Sequence, residues 1–103
     1  METARITVSR QSPDDVRIRQ LVVSIDGKTT ATLLYGESMT REVEPGSHRL
    51  RVHNTLVWKT VDLELSPGDH ARFTAVNRAG FGTYWMVGLL GAGPLYLTVR
   101  RDP

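Results

Sequence analysis

An all-β fold, an antiparallel β-sandwich of seven or eight short strands, is predicted by three observations. Apolar residues recur at every second position in short runs along most of the chain, the period of half-buried strands. Turns containing glycine or proline separate those runs at short intervals. No segment before Gly80 repeats apolar residues at helical spacing over a useful length. With 103 residues the chain is read as one domain, 1–103, large enough for a modest core without covalent staples.

The first strand is set by Ala4, Ile6 and Val8 alternating with Arg5, Thr7 and Ser9. Gln11 to Asp15 forms a polar turn in which Pro13 ends pairing. Val16 and Ile18 keep one parity and Leu21, Val23 and Ile25 the other. This predicts a bulge near Arg19-Gln20, or a strand beginning only at Gln20. Asp26-Gly27 suits a two-residue type I′ hairpin turn, because both residues tolerate positive φ. A strand follows through Leu34, Gly36-Glu37-Ser38 turns the chain, and Met39, Arg41 and Val43 lead into the central block.

That block, Val43 to Val76, carries Pro-Gly-x-His twice, ending at His48 and His70. Glu44-Pro45-Gly46-Ser47 and Ser66-Pro67-Gly68-Asp69 both fit type II turns, with proline fixing φ and glycine supplying the positive φ that follows. Between them, Leu50 and Val52 alternate with Arg49 and Arg51, and Val61, Leu63 and Leu65 with Asp62 and Glu64. The predicted hairpin register pairs Val52 with Val61 and Leu50 with Leu63. It sets Arg51 against Asp62 and Arg49 against Glu64. Asn54 to Lys59 is then the connection, with Leu56 and Trp58 at its tip. Ala71, Phe73 and Ala75 form the next strand and Asn77 to Gly80 a loop. Leu95, Leu97 and Val99 mark a last strand, expected beside the first strand or the one around Phe73.

Composition narrows the chemistry. There are no cysteines, which excludes disulfides and thiolate metal sites. The 13 basic and 11 acidic residues are spread along the chain, so no basic tract points to nucleic acid. The opening METARITVSR lacks an apolar run of signal-peptide length, which predicts a cytoplasmic protein, free or held at the inner face of the membrane. His48 and His70 occupy matching places after the two turns, yet no carboxylate cluster completes a metal site around them. Asp14-Asp15 and Glu42 with Glu44 are read as solvated acids, without the burial that raises a general acid's pKa. Arg49, Arg51 and Arg72 with Trp58 could line one face for single-stranded nucleic acid, but Asp62 and Glu64 are expected to neutralise it. The sequence therefore predicts no enzyme, no catalytic or metal-binding residue and no cofactor.

The order Ile25-Asp26-Gly27-Lys28, Leu34 to Gly36-Glu37, then Glu44-Pro45-Gly46-Ser47-His48-Arg49-Leu50-Arg51-Val52 resembles the PEGA domain and related small bacterial sandwich domains. The likeness spans Leu21 to Val76. It implies an immunoglobulin-like, non-enzymatic module of the kind found in bacterial envelope or surface-associated proteins. The complete strand pattern and the lack of a coherent reactive site lead to the expectation of a binding or scaffold module with a protein as partner, a second copy included.

One segment fits an ordinary sandwich poorly. Thr83 to Gly91, TYWMVGLLG, lies in a stretch without charge from Phe81 to Val99. Tyr84, Trp85, Met86, Leu89 and Leu90 are candidates for contact with a partner or a membrane surface. The leading reading of the segment is nevertheless structural, a central strand, short helix or apolar loop that caps one end of the core, with partner or membrane contact as the alternative. Pro94, four glycines and the strand-like ending argue against a spanning helix. A small-ligand pocket is the third functional reading.

Overall fold

The computed structural model describes residues 2–13, 15, 20–54, 57–79 and 95–102. Among them are eight strands and no helix: β1 (Ala4–Ser9), β2 (Leu21–Ile25), β3 (Lys28–Leu33), β4 (Ser38–Val43), β5 (Gly46–His53), β6 (Trp58–Leu65), β7 (His70–Ala79) and β8 (Leu95–Arg101). They form two four-stranded sheets, β4-β1-β7-β8 and β3-β2-β5-β6. Six of the strand segments were expected from alternation, and the closing strand pairs with the one around Phe73, as expected. The uniformly antiparallel arrangement was not realised, because β1 and β7 run parallel, Ile6 beside Ala71 and Val8 beside Phe73. Side-chain alternation is the same in parallel and antiparallel ladders, so the periodicity carries no information on direction.

One apolar cluster draws on both sheets. Ala4, Ile6, Val8, Ala71, Phe73, Ala75 and Leu97 come from the first sheet, and Leu21, Val23, Leu50, Val52, Leu63 and Leu65 from the second. Each fully buried Ile, Leu or Phe contributes roughly 1.5–3 kcal/mol by leaving water. Every one of these residues sits on the expected parity of its strand.

The turns hold most of their expected geometry. Asp26 and Gly27 have φ of 53° and 83°, and Ile25 pairs with Lys28, as a type I′ hairpin requires. Gly68 has φ of 82°, and the Asp69 N–H donates to the Ser66 carbonyl at 3.0 Å, closing a type II turn. Gly46 is also left-handed, at φ 127°, but it is already the first residue of β5, opposite Leu65. The first Pro-Gly is therefore an entry into a strand rather than a second copy of the same turn. The observed bulge lies between Val23 and Ser24, against β3. The parity change proposed around Arg19 falls outside the described residues.

The largest departure is at one end of the core, where the sequence suggested loops and solvated acids. Arg10 and Asp15 have fully buried side chains. Arg10 Nε donates to Asp15 Oδ2 at 2.9 Å and Nη2 to Oδ1 at 3.2 Å, a two-pronged pair, while Nη1 donates to the Leu33 carbonyl at 3.0 Å. Asp15 Oδ2 also accepts the Asn77 backbone N–H at 3.2 Å. β1 lies against β7 only as far as Thr74, and beyond it Asp15 takes over as an acceptor for β7. β7 continues through Asn77 to Ala79, where a loop was predicted, because β8 stays paired with it from Phe73 to Ala79 on the other side. The Asn77 side-chain oxygen accepts from Asn54 Nδ2 at 2.9 Å, and Asn54 Oδ1 accepts the Val57 N–H at 2.8 Å. Among the described residues no buried side-chain nitrogen or oxygen lacks a partner.

Asn54 also corrects the central register. It closes a link of residues 54–57, so that Leu50 faces Val61, Arg49 faces Asp62 and His53 faces Trp58. The predicted pairing was two residues out of step. A shift of two keeps every side chain on its face, so burial alone does not distinguish the registers. Replacing Asn54 by alanine should cost ~1–3 kcal/mol, read from urea unfolding, because the buried Asn77 side-chain oxygen loses this donor and the part-buried Val57 N–H its acceptor. Gly46→Ala and Gly68→Ala should each cost on the order of 1 kcal/mol or more in the same assay, through Cβ strain at positive φ.

Candidate functional site

The outward face of the second sheet is the most distinctive surface among the described residues. Alternation that buries Leu50 and Val52 turns Ser47, Arg49, Arg51 and His53 of β5 away from the core. The register sets them against Glu64, Asp62, Thr60 and Trp58 of β6 in turn. Arg49 Nε donates to Asp62 Oδ1 at 2.9 Å, both side chains being mostly exposed. Glu64 does not meet an arginine; it accepts from the Ser47 hydroxyl. Arg51 Nε donates to Thr60 Oγ1 at 3.4 Å, a long contact, and no carboxylate among the described residues pairs with it. At the end of the row His53 stacks on Trp58, ring centres 5.8 Å apart and planes inclined by 30°. Trp58 is 54% exposed. Arg72, expected to share this face, belongs to β7 in the other sheet.

An open groove of about 420 Å³ lies at the other end of this face, lined by Asp26, Ser47, His48, Arg49, Asp62, Leu63 and Glu64. Its most ordered group is His48, whose side chain is 13% exposed. His48 Nδ1 lies 2.6 Å from Asp26 Oδ2, and Nε2 lies 2.5 Å from the Glu44 carbonyl. Asp26 Oδ1 accepts the Arg49 backbone N–H at 2.8 Å. That N–H, then His48, holds the Asp26 carboxyl below its ordinary range. The Asp26 carboxylate, then the Glu44 carbonyl, pushes His48 above the ordinary histidine range.

The signs give a window. The raised His48 contributes stability that is complete below its unfolded value and is lost as pH rises through its folded value. The lowered Asp26 contributes stability that is present above its unfolded value and is lost as pH falls through its folded value. The pair is therefore most stabilising between the two unfolded values, and its contribution is lost as pH moves outward through either folded value. With both ring nitrogens donating to oxygen acceptors, His48 has no lone pair for a substrate and does not serve as a general base in this arrangement.

His70, the other member of the repeat, has the opposite electrostatics. Its Nε2 lies 2.7 Å from Thr7 Oγ1, which also meets Thr40 Oγ1 at 2.8 Å. Partial desolvation, then the guanidinium groups of Arg72 and Arg5, holds His70 below the ordinary range. The two histidines stand in different sheets with different partners. Among the described residues no group of His, Asp and Glu is arranged to hold a metal ion.

Tyr84, Trp85, Met86, Leu89 and Leu90, the contact residues expected from the sequence, lie outside the described residues, as does Leu56. No described helix is long and apolar enough to cross a membrane. The Trp58–His53 stack was missed because Trp58 was assigned to a loop tip; in the observed register it begins β6. Comparison with protein-family models, with curated proteins and with solved structures finds no match.

Proposed function

We propose that this chain is a non-catalytic, PEGA-like β-sandwich module of immunoglobulin-like type that binds another protein through the outer face of its second sheet. The observation that carries this is the row Arg51, His53 and Trp58, which presents a half-exposed tryptophan, stacked on His53, beside an arginine with no carboxylate partner among the described residues. Tryptophan and arginine are the residue types that most often anchor protein interfaces, and a stacked ring loses little entropy on docking. Support for the PEGA-like reading comes from two sheets built over one apolar cluster, with left-handed Asp26-Gly27 and Gly68 at the expected turns.

A second reading keeps the membrane surface as the target. It rests on the uncharged sequence from Thr83 to Gly91, with Trp85 and Tyr84 as interfacial residues.

The two make different predictions. Trp58→Ala should change stability by no more than about 1 kcal/mol, because the ring is half in solvent already. It should at the same time abolish association, whether with a second copy, measured by sedimentation, or with a captured protein whose affinity is then titrated in purified form. Unchanged association for Trp58→Ala, together with loss of liposome flotation for Trp85→Ala, would replace the protein-binding assignment by the membrane one.

A further inference from the structure

The chain crosses from the first sheet to the second through Glu44 and Pro45, between β4 and β5. Few contacts fix such a crossing, because Pro45 has no N–H to donate and Gly46 is left-handed. His48 supplies one contact, and it does so in a way that depends on a proton. Both of its neighbours are oxygen acceptors, a carboxylate at 2.6 Å on Nδ1 and a carbonyl at 2.5 Å on Nε2. A neutral imidazole carries one N–H only, so the ring satisfies both contacts only as the imidazolium.

We propose that His48 is a proton-dependent latch: charged, it ties the β4–β5 crossing to the β2–β3 turn, and on losing the Nε2 proton it releases the crossing at Glu44. The proton leaves Nε2 because the bond from Nδ1 goes to the Asp26 carboxylate, and a donor to an ionised acceptor is held more strongly than a donor to a neutral carbonyl. The bare Nε2 lone pair then faces the lone pairs of the Glu44 oxygen, and the two repel.

The charged groups around the ring favour its cationic form. Asp26 faces it from the β2–β3 turn and Glu44 from the crossing. From β6, Asp62 and Glu64 line the same groove but on the outward parity of the sheet, whereas His48 shares the parity of Leu50 and Val52 and pairs with Leu63. The nearby cation, Arg49, is the next residue on its own strand and is paired with Asp62. The direction of the His48 shift, upward, agrees with this count. The release point therefore lies above the ordinary histidine value and on the neutral side of it. Asp26 remains on its turn through the Arg49 N–H in either state, so only the crossing responds.

The test is an NMR titration of the whole chain, following the His48 ring nitrogens and the Glu44 carbonyl carbon. The expected result is a midpoint above the ordinary value of about 6.5, loss of the proton from Nε2, and a Glu44 carbonyl shift at the same midpoint. Hydrogen exchange at Gly46 and Ser47, corrected for intrinsic rates, should accelerate roughly fivefold across that midpoint, while Val52 in mid-strand stays constant. Asp26→Asn, which keeps an acceptor for the Arg49 N–H and a residue suited to the turn, should return the midpoint to the ordinary value. A wild-type midpoint at or below that value, deprotonation at Nδ1, or a Glu44 carbonyl that does not follow the titration would overturn the latch. These readings need no variant, so they decide the matter even if Asp26→Asn does not fold.

Discussion

Four polar side chains buried at one end of an otherwise apolar core are the constraint on which this structure turns. Arg10, Asp15, Asn54 and Asn77 join the end of β1, the end of β3, the β5–β6 link and β7. The Arg10 main chain is held as well, donating to the Glu37 carbonyl at 2.8 Å and accepting from the Gly36 N–H at 2.7 Å. An ion pair taken wholly out of water is no guarantee of net stability, since desolvation offsets much of the attraction. What it does supply is intolerance of alternatives. A two-residue slip of the β5–β6 hairpin would keep all apolar residues inside, but it would move Asn54 away from Asn77 and from the Val57 N–H. The polar cluster thus selects the register where hydrophobic burial is indifferent.

The same register organises the surface. Because β5 and β6 meet through a link closed at 54–57, His53 falls opposite Trp58 and Arg49 opposite Asp62. The outer face then sorts into an aromatic and cationic end and an end that carries the acids Asp62 and Glu64. The Pro-Gly-x-His repeat, alike in sequence, separates along the same lines. His48 ends up between a carboxylate and a carbonyl, whereas His70 ends up among arginines. Local sequence is alike before each histidine; the sheet it joins sets the direction in which its pKa moves.

Much of the fold was legible residue by residue. Parity named the buried side of β1, β2, β5, β6 and β7, and Asp-Gly and Pro-Gly named the left-handed positions. The parallel pairing of β1 with β7 was not legible, because alternation does not encode direction. The polar cluster left a trace that went unread. Arg10 continues the row Ala4, Ile6, Val8; Asn54 continues Leu50, Val52; Asn77 continues Ala71, Phe73, Ala75. Each is a polar residue on an inward parity just where its apolar row ends. Taken singly, such residues look like loop beginnings; three together mark a shared polar cap. Asp15 had no comparable signal, since its place depends on a turn rather than on a strand. The surface row was half legible: Arg49, Arg51 and Trp58 were singled out, but their alignment needed the correct register.

The most direct measurement of this account is a double-mutant cycle on the buried ion pair, with Arg10→Met, Asp15→Leu and the combination compared by urea unfolding. Each single change should cost ~3–5 kcal/mol, because it strands a charge in the core, and the double change should recover most of one loss. A double variant whose destabilisation equals the sum of the two single losses would contradict a coupled pair. So would single variants that lose almost nothing.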